Sequence, residues 1–210
     1  SPPLAKLLLV HTNPWLLAAL LYLGSGLGLL LLRRFWRVPA VSLPGLEWGW
    51  LAGAILAGGV VAPVLLLLGL ARMPASGASL LLNAEGVFTA FLAWFVFHEN
   101  FDRRVALGMV TIVAGALVLS WPGEASFAGS QAALLVLSAC LAWAVDNNLT
   151  RKVSLVDASF IAMTKGLAAG ATNLMLALVL GVSWPEPGIV IGALGLGFAS
   201  YGASLTLFVV

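Results

Sequence analysis

The sequence predicts an all-α integral membrane protein, a bundle of transmembrane helices, and three observations lead to this fold class. The 210 residues are 61% hydrophobic and only 9% charged, whereas an ordinary soluble domain is about 45–50% apolar and about 25% charged. The mean hydropathy is +1.08. The apolar residues form long continuous runs, unlike the alternating segments of about ten residues that are typical of membrane β-barrels. Lipid is therefore the expected surrounding of most of this surface.

Seven apolar runs predict seven membrane spans, since about 20 apolar residues cross the roughly 30 Å of hydrocarbon. In chain order they cover residues 14–32, 48–71, 76–98, 105–121, 130–149, 156–180 and 188–210. Prolines, glycines and charged residues separate the runs, and Pro14 suits the first turn of a helix. Residues 4–10 are expected to be the tail of an earlier helix. We therefore expect the chain to be part of a longer protein.

The distribution of cations predicts the orientation. Alternate loops carry either seven cations or only two. The cations of the first set are Arg33, Arg34, Arg37, Arg103, Arg104, Arg151 and Lys152, and those of the second set are Lys6 and Arg72. By the positive-inside rule the first set faces the cytoplasm. We therefore expect a multi-pass protein of the cytoplasmic (inner) membrane.

Two shifted self-alignments predict an internal repeat. A shift of 139 residues matches Glu47, Gly49, Gly53, Ala54 and Gly58 to Glu186, Gly188, Gly192, Ala193 and Gly197. A shift of 144 residues matches Ala18, Leu23 and Gly26 to Ala162, Leu167 and Gly170, and places Asn13 opposite Asp157. With the earlier helix included, the repeat unit holds five helices. An odd number inverts the second copy in the membrane, as in many secondary transporters.

Three charged residues fall inside the predicted spans: Glu85, Asp146 and Lys165. A charge at the bilayer centre costs about 2.5–3.5 kcal/mol on insertion scales, so a buried ion pair is expected. Glu85 with Lys165 is the first expected pair, because both lie at similar depth, and Asp146 with Lys165 is the second. The predicted substrate- or proton-binding set is Glu85, Asp146, Lys165, Asn83, Asn147, Trp143 and Tyr201. Helix packing is the alternative role for its asparagines.

Several motifs are absent from the sequence. It has no phosphate-binding P-loop, no paired His and Cys at metal-ligand spacing and no nucleophile elbow. We therefore expect no enzyme activity, no cofactor and no metal. The expected partners are a small-molecule substrate and membrane lipid, without nucleic acid, and a homodimer is left open. A membrane scaffold or accessory subunit without transport activity is the alternative function.

Two stretches carry a resemblance to a known family. The end of the first half resembles an EamA-type repeat of the drug/metabolite transporter superfamily, through residues 88–94 (FTAFLAW), Glu99, Gly108 and Gly115. Residues 137–144 and the Asn-Leu-Thr-Arg at 148–151 are similar to the opening helix of the second repeat. The resemblance implies ten helices in two inverted repeats, here residues 1–122 (helix 1 tail and helices 2–5) and 123–210 (helices 6–8). It also implies a central cavity and export or exchange of small metabolites.

One position departs from the family pattern. Many relatives carry a proline in the fourth helix near the position of Gly86, whereas this chain has Asn83-Ala84-Glu85-Gly86. A carboxylate there indicates a cationic or amphoteric substrate, or proton coupling. We therefore expect a secondary transporter that moves a small polar metabolite, such as an amino acid or an amine, by alternating access.

Overall fold

The computed structural model describes residues 2–39, 43–100, 102–120, 130–153 and 156–203, and every regular element within these ranges is helical. The α-helices are α1 (Pro2–Leu9), α2 (Pro14–Phe35), α3 (Gly45–Ala54), α4 (Ala62–Arg72), α5 (Ala75–Leu81), α6 (Ala84–Phe95), α7 (Arg103–Ser120), α8 (Ser130–Arg151), α9 (Ala158–Val179) and α10 (Pro187–Gly197). Two π-helical segments complete them. Ile55–Val61 joins α3 to α4, and Phe198–Ala203 extends α10. The predicted all-helical fold class is confirmed.

Five helical stretches of the described residues are long and apolar enough to cross a membrane. They are Pro14–Phe35, Gly45–Arg72, Ala75–Phe95, Gln131–Arg151 and Ala158–Val179. The other two predicted spans contain the 18-residue helix α7 and the shorter helix α10. Residues 204–210, which belong to the last predicted span, lie outside the described ranges, as does the predicted repeat boundary at residue 122.

Two of the spans are not single α-helices. The span Gly45–Arg72 passes through the π-helical segment, and Ala75–Phe95 is interrupted between α5 and α6. The first break falls beside Pro63, which cannot donate a backbone hydrogen bond. The sequence pattern predicted the position and length of these spans without showing that their backbones are broken.

Helices α2 and α9 form the central packing contact of the bundle. Both have 22 residues, and they begin 144 residues apart, at positions 14 and 158. A Cβ atom on Gly26 would lie 2.5 Å from the backbone nitrogen of Leu167, and one on Gly170 would lie 2.7 Å from that of Leu23. The pairing runs in opposite chain directions and is reciprocal, as at a two-fold axis. These contacts support the predicted inverted repeat.

The two helices also begin in the same way. The side chain of Asn13 accepts a hydrogen bond from the Trp15 N–H at 2.9 Å, and that of Asp157 accepts one from the Phe160 N–H at 2.8 Å. Such side-chain caps satisfy backbone donors that have no partner within the helix. The two caps occupy the positions that the shift of 144 residues matched.

Helix α8 organises the rest of the bundle. It packs along both halves of the broken span and along α6, while α9 covers the π-helical segment Ile55–Val61 from another side. The apolar core includes Leu16, Leu17, Leu67, Leu70, Val136 and Cys140. The described side chains of α7 are mostly exposed. Positions on α8 can therefore face either α6 or the π-helical segment, according to their direction around the helix.

Candidate functional site

The π-helical segment Ile55–Val61 frees a backbone carbonyl in the middle of a span. The N–H of Ala62 donates to the Ala57 carbonyl, five residues earlier, instead of to Gly58. Pro63 has no N–H and cannot give Gly58 the next bond of this register. In the α register the same missing donor would have served Gly59. Inside a membrane, a carbonyl without a donor costs several kcal/mol, so another partner is expected.

Side chains from three helices supply those partners. The Tyr22 hydroxyl of α2 donates to the Gly58 carbonyl at 2.7 Å, and the Trp143 Nε1–H of α8 donates to it at 3.0 Å. Asn173 Nδ2 of α9 donates to the Gly59 carbonyl at 2.8 Å. Asn173 is fully buried. The break in this span is therefore stabilised by side chains of α2, which precedes it in the sequence, and of α8 and α9, which follow it.

Two clusters of polar and charged side chains contact α8. The first, the Asp146 cluster, consists of Asp146, Thr150 and Lys165. Lys165 Nζ donates to Asp146 Oδ1 and, at 3.1 Å, to Thr150 Oγ1, while the Thr150 hydroxyl lies 2.8 Å from Asp146 Oδ1. Asp146 is 6% exposed. A Cβ atom on Gly58 would lie 1.9 Å from Asp146 Oδ2, so only glycine leaves room for this carboxylate. The second of the two expected ion pairs is the one that forms.

The second cluster, the Glu85 cluster, consists of Glu85, Thr89 and Asn147. Asn147 Nδ2 donates to Glu85 Oε1 at 2.9 Å and lies 3.3 Å from Thr89 Oγ1. Asn148 ties the same helices together by donating to the Thr89 carbonyl at 3.0 Å. Glu85 is partly buried, and no cation among the described residues forms an ion pair with it. This cluster therefore holds a carboxylate that has no counter-charge among the described residues.

The prediction that Glu85 pairs with Lys165 is wrong. Asp146 and Asn147 are consecutive on α8, and consecutive helical positions point about 100° apart. Asp146 consequently faces the π-helical segment and α9, whereas Asn147 faces α6. Lys165, on α9, reaches the first side of α8 and not the second. The similar depth of Glu85 and Lys165 in the membrane did not decide the pairing, because the two residues lie on different sides of α8.

The remaining predicted residues take different places. Trp143 joins the Asp146 side of α8 through its bond to Gly58. Asn83 lies in the break between α5 and α6, where its Nδ2 donates to the Leu80 carbonyl at 3.0 Å. It is exposed and contacts neither cluster. Tyr201 belongs to the second π-helical segment, but its side chain lies outside the described residues.

The predicted set missed Tyr22 and Asn173, which hold the freed carbonyls. Their signal in the sequence was indirect. Pro63, which follows Gly58 and Gly59, indicates that one backbone carbonyl lacks an N–H donor. A single sequence does not show which distant side chain supplies the missing donor. Within the described residues, no three His, Cys, Asp or Glu side chains lie close enough to hold a metal ion.

One end of the bundle is closed by contacts between charged loops. Arg33 pairs with Asp157 at 2.6 Å and donates to Ser159. Partial burial raises the pKa of Asp157, but hydrogen bonds from Ser159 and the Phe160 N–H, together with the charge of Arg33, outweigh it and hold the pKa below its usual value. At the same end Arg151 pairs with Glu99. The loops that were predicted to share one side therefore meet.

The other end of the bundle carries Lys6, Arg72 and a groove. Lys6, in the last turn of α1, donates to the carbonyl of Met73, the residue after Arg72. A groove of about 540 Å³ lies there, lined by residues 9–13 and 180–185.

Comparison with known proteins gives a consistent result. The sequence profile of the EamA-like transporter family matches residues 1–121. An uncharacterized transporter of Methanothermobacter thermautotrophicus is 30% identical over 225 residues, which cover 99% of this chain and 66% of that protein. A probable amino-acid metabolite efflux pump of Salmonella typhimurium is 39% identical over 85 residues, or 39% of this chain and 27% of the pump. The chain thus spans only part of the length of these relatives.

A third relative and a solved structure add to this. The probable 4-amino-4-deoxy-L-arabinose-phosphoundecaprenol flippase subunit ArnE of Pseudomonas fluorescens is 38% identical over 86 residues, or 40% of this chain and 75% of that subunit. A protein of known crystal structure superposes with a TM-score of 0.70 at 19% identity, covering 93% of this chain and 68% of its own. At that identity the likeness concerns the fold alone.

Proposed function

The chain belongs to the EamA-like transporter family, and on this premise we propose that it is a secondary transporter working by alternating access. Its substrate is a small polar metabolite such as an amino acid or an amine, and transport runs by proton coupling or exchange across the cytoplasmic membrane. The relatives from Salmonella and Pseudomonas are named as a probable efflux pump and a probable flippase subunit, and these names support a transport role of this general kind.

One observation carries the proposal: the uncompensated carboxylate of Glu85. It lies within the apolar span Ala75–Phe95 and is partly buried. Its visible partner is the neutral amide of Asn147. A charge in a span costs about 2.5–3.5 kcal/mol, and such charges usually mark a substrate or proton pathway. A residue kept at that cost without an internal counter-charge is available for a solute.

The Asp146 cluster has a different role in this proposal. Its acid and its base already satisfy each other, and the acid lies against Gly58, where the span is broken. Lys165 therefore holds α9 against α8, and Trp143 holds the freed carbonyl of Gly58. Glu85 and Asn147 contact the solute. The Arg-rich end, closed by Arg33 and Asp157, faces the cytoplasm.

The test is transport by the whole protein in proteoliposomes. Labelled amino acids, amines and nucleosides are followed with and without a pH gradient, for the wild type, Glu85→Gln and Glu186→Gln. Glu186 is an exposed acid in the loop before α10 and serves as the matched control. We expect at least one solute to move with wild type and control but not with Glu85→Gln. No protein-dependent movement of any solute from a folded sample would contradict the proposal and favour the scaffold alternative.

A further inference from the structure

We propose that the Glu85 cluster binds a protonated amine or guanidinium group and that the solute needs no carboxylate for recognition. This inference rests on the proposed transport function and narrows its substrate class. It selects simple organic cations over zwitterionic amino acids and over organic acids.

The described charged groups that contact α8 do not all form ion pairs. Asp146 and Lys165 form an ion pair and cancel each other. Asn147, the hydrogen-bond partner of Glu85, is neutral, and so is the Thr89 hydroxyl, which lies 3.3 Å from the Asn147 amide nitrogen. Among the described residues, the Glu85 carboxylate is therefore the acid beside α8 that has no cationic partner. A cationic solute restores neutrality there, whereas a zwitterion leaves the charge as it was.

Lys165 is not available to bind a carboxylate of the solute. A zwitterionic solute needs a cation for its carboxylate as well as an anion for its amine. Lys165 cannot supply that cation beside Glu85, because its Nζ is bound to Asp146 and Thr150 on the other side of α8. Its side chain is only 18% exposed. The residue that would have recognised an amino-acid carboxylate is thus already occupied.

Arg151 is the other cation to consider. It lies four residues after Asn147 and hence one turn further along the same face of α8. It forms an ion pair with Glu99 at the end of the helix, and its side chain is 62% exposed. Its charge is therefore already neutralised at the rim, near solvent. An acid group at the Glu85 cluster would have to break that pair in order to use it.

The geometry of the cluster suits an N–H donor. Asn147 Nδ2 occupies one oxygen position of the Glu85 carboxylate, at 2.9 Å. A carboxylate offers about four acceptor positions, so several remain for the N–H groups of an ammonium or a guanidinium. The Thr89 hydroxyl oxygen lies 3.3 Å from the same amide nitrogen and adds a further acceptor. Hydrogen bonds between a cationic donor and a carboxylate are about twice as strong as neutral ones.

The experiment compares solutes that share a skeleton and differ in one charge. The probes are arginine with its decarboxylated form agmatine, and leucine with isoamylamine and with 4-methylpentanoate. Binding is measured as the rise in melting temperature of the purified whole protein at increasing probe concentration. Flux is measured separately by exchange in proteoliposomes. The variants are Glu85→Gln, Arg151→Gln and the exposed control Glu186→Gln.

We expect each amine to bind more tightly than its amino acid, and we expect 4-methylpentanoate not to bind. Glu85→Gln should weaken amine binding roughly 10- to 100-fold, the range for a hydrogen bond to a charged group. Glu186→Gln and Arg151→Gln should leave that binding unchanged.

Three results would overturn the inference. The first is binding of the amino acids that is as tight as that of their amines or tighter. Loss of that binding in Arg151→Gln would show that Arg151 binds the carboxylate. The others are binding of 4-methylpentanoate, and failure of both amines to bind a folded sample. Amine binding without flux would instead overturn the transport proposal and keep the amine site. Flux of a solute without an amine, unaffected in Glu85→Gln, would do the reverse.

Discussion

The acidic residues on the two sides of α8 differ in their partners. On the side facing the π-helical segment, Asp146 is buried and is satisfied by Lys165 and Thr150. On the side facing α6, Glu85 has no cationic partner among the described residues and is bound by a neutral amide. A closed ion pair ties helices together but leaves no charge for a ligand, whereas an open charge does the reverse. The comparison assigns stability to the first cluster and recognition to the second.

The largest expected effect on stability comes from opening the closed cluster. Lys165→Met leaves Asp146 buried without its counter-charge, which typically destabilises a protein by about 3–5 kcal/mol. The double variant Asp146→Asn, Lys165→Met replaces both charges by neutral groups and should recover most of that loss. Unfolding of the three proteins in the same detergent, followed by Trp fluorescence, provides the comparison. A double variant as unstable as Lys165→Met would show that the charge pair itself is required.

A smaller effect is expected from filling the space beside Asp146. Gly58→Ala places a methyl group 1.9 Å from Asp146 Oδ2 and forces the carboxylate to move. Overpacking of this kind costs about 1–3 kcal/mol. Gly49→Ala is the matched control, since nothing lies within 4 Å of a Cβ atom there. Equal melting temperatures for the two variants would mean that Asp146 is not confined by the π-helical segment.

The freed carbonyl predicts a more modest effect. Tyr22→Phe removes one of the two side-chain donors to the Gly58 carbonyl and leaves Trp143 in place. A single hydrogen bond contributes about 0.5–1.5 kcal/mol, and the carbonyl keeps a partner. Tyr22→Phe combined with Trp143→Phe removes both donors and should cost more than the sum of the single changes. Additive losses would contradict the view that both side chains satisfy one acceptor.

The closed end of the bundle predicts a pH effect. The pKa of Asp157 is lower in the folded protein than its usual value. A depressed carboxyl pKa adds stability that is fully present above the unfolded pKa, near 3.9, and is lost as the pH falls through the folded value. The melting temperature of the wild type should therefore fall more between pH 6 and pH 3 than that of Asp157→Asn. Parallel curves for the two proteins would contradict the assignment.

The sequence predicted the helices, their order and the charged residues within the spans. It did not predict which side of each helix these residues occupy. Apolar runs predict spans because hydrocarbon thickness fixes their length. The caps at Asn13 and Asp157 and the packing of Gly26 on α9 agree with the alignment shifted by 144 residues. The partner of Lys165 could not be fixed, because the sequence does not show that Asp146 faces α9 whereas Asn147, about 100° further around α8, faces α6 and Glu85. The π-helical segment was hidden for a related reason, since its partners are distant in sequence.

The central claim is that recognition depends on Glu85 and stability on the Asp146–Lys165 pair, and one paired measurement tests it. Melting temperature and solute flux are determined for the wild type, Glu85→Gln and Lys165→Met in the same reconstituted whole protein. We predict that Glu85→Gln melts within about 2 °C of the wild type, as for a change of at most about 0.5 kcal/mol in a protein of this size, yet loses flux, whereas Lys165→Met melts at a clearly lower temperature. A Glu85→Gln protein that transports like the wild type, or that melts as early as Lys165→Met, would contradict the claim.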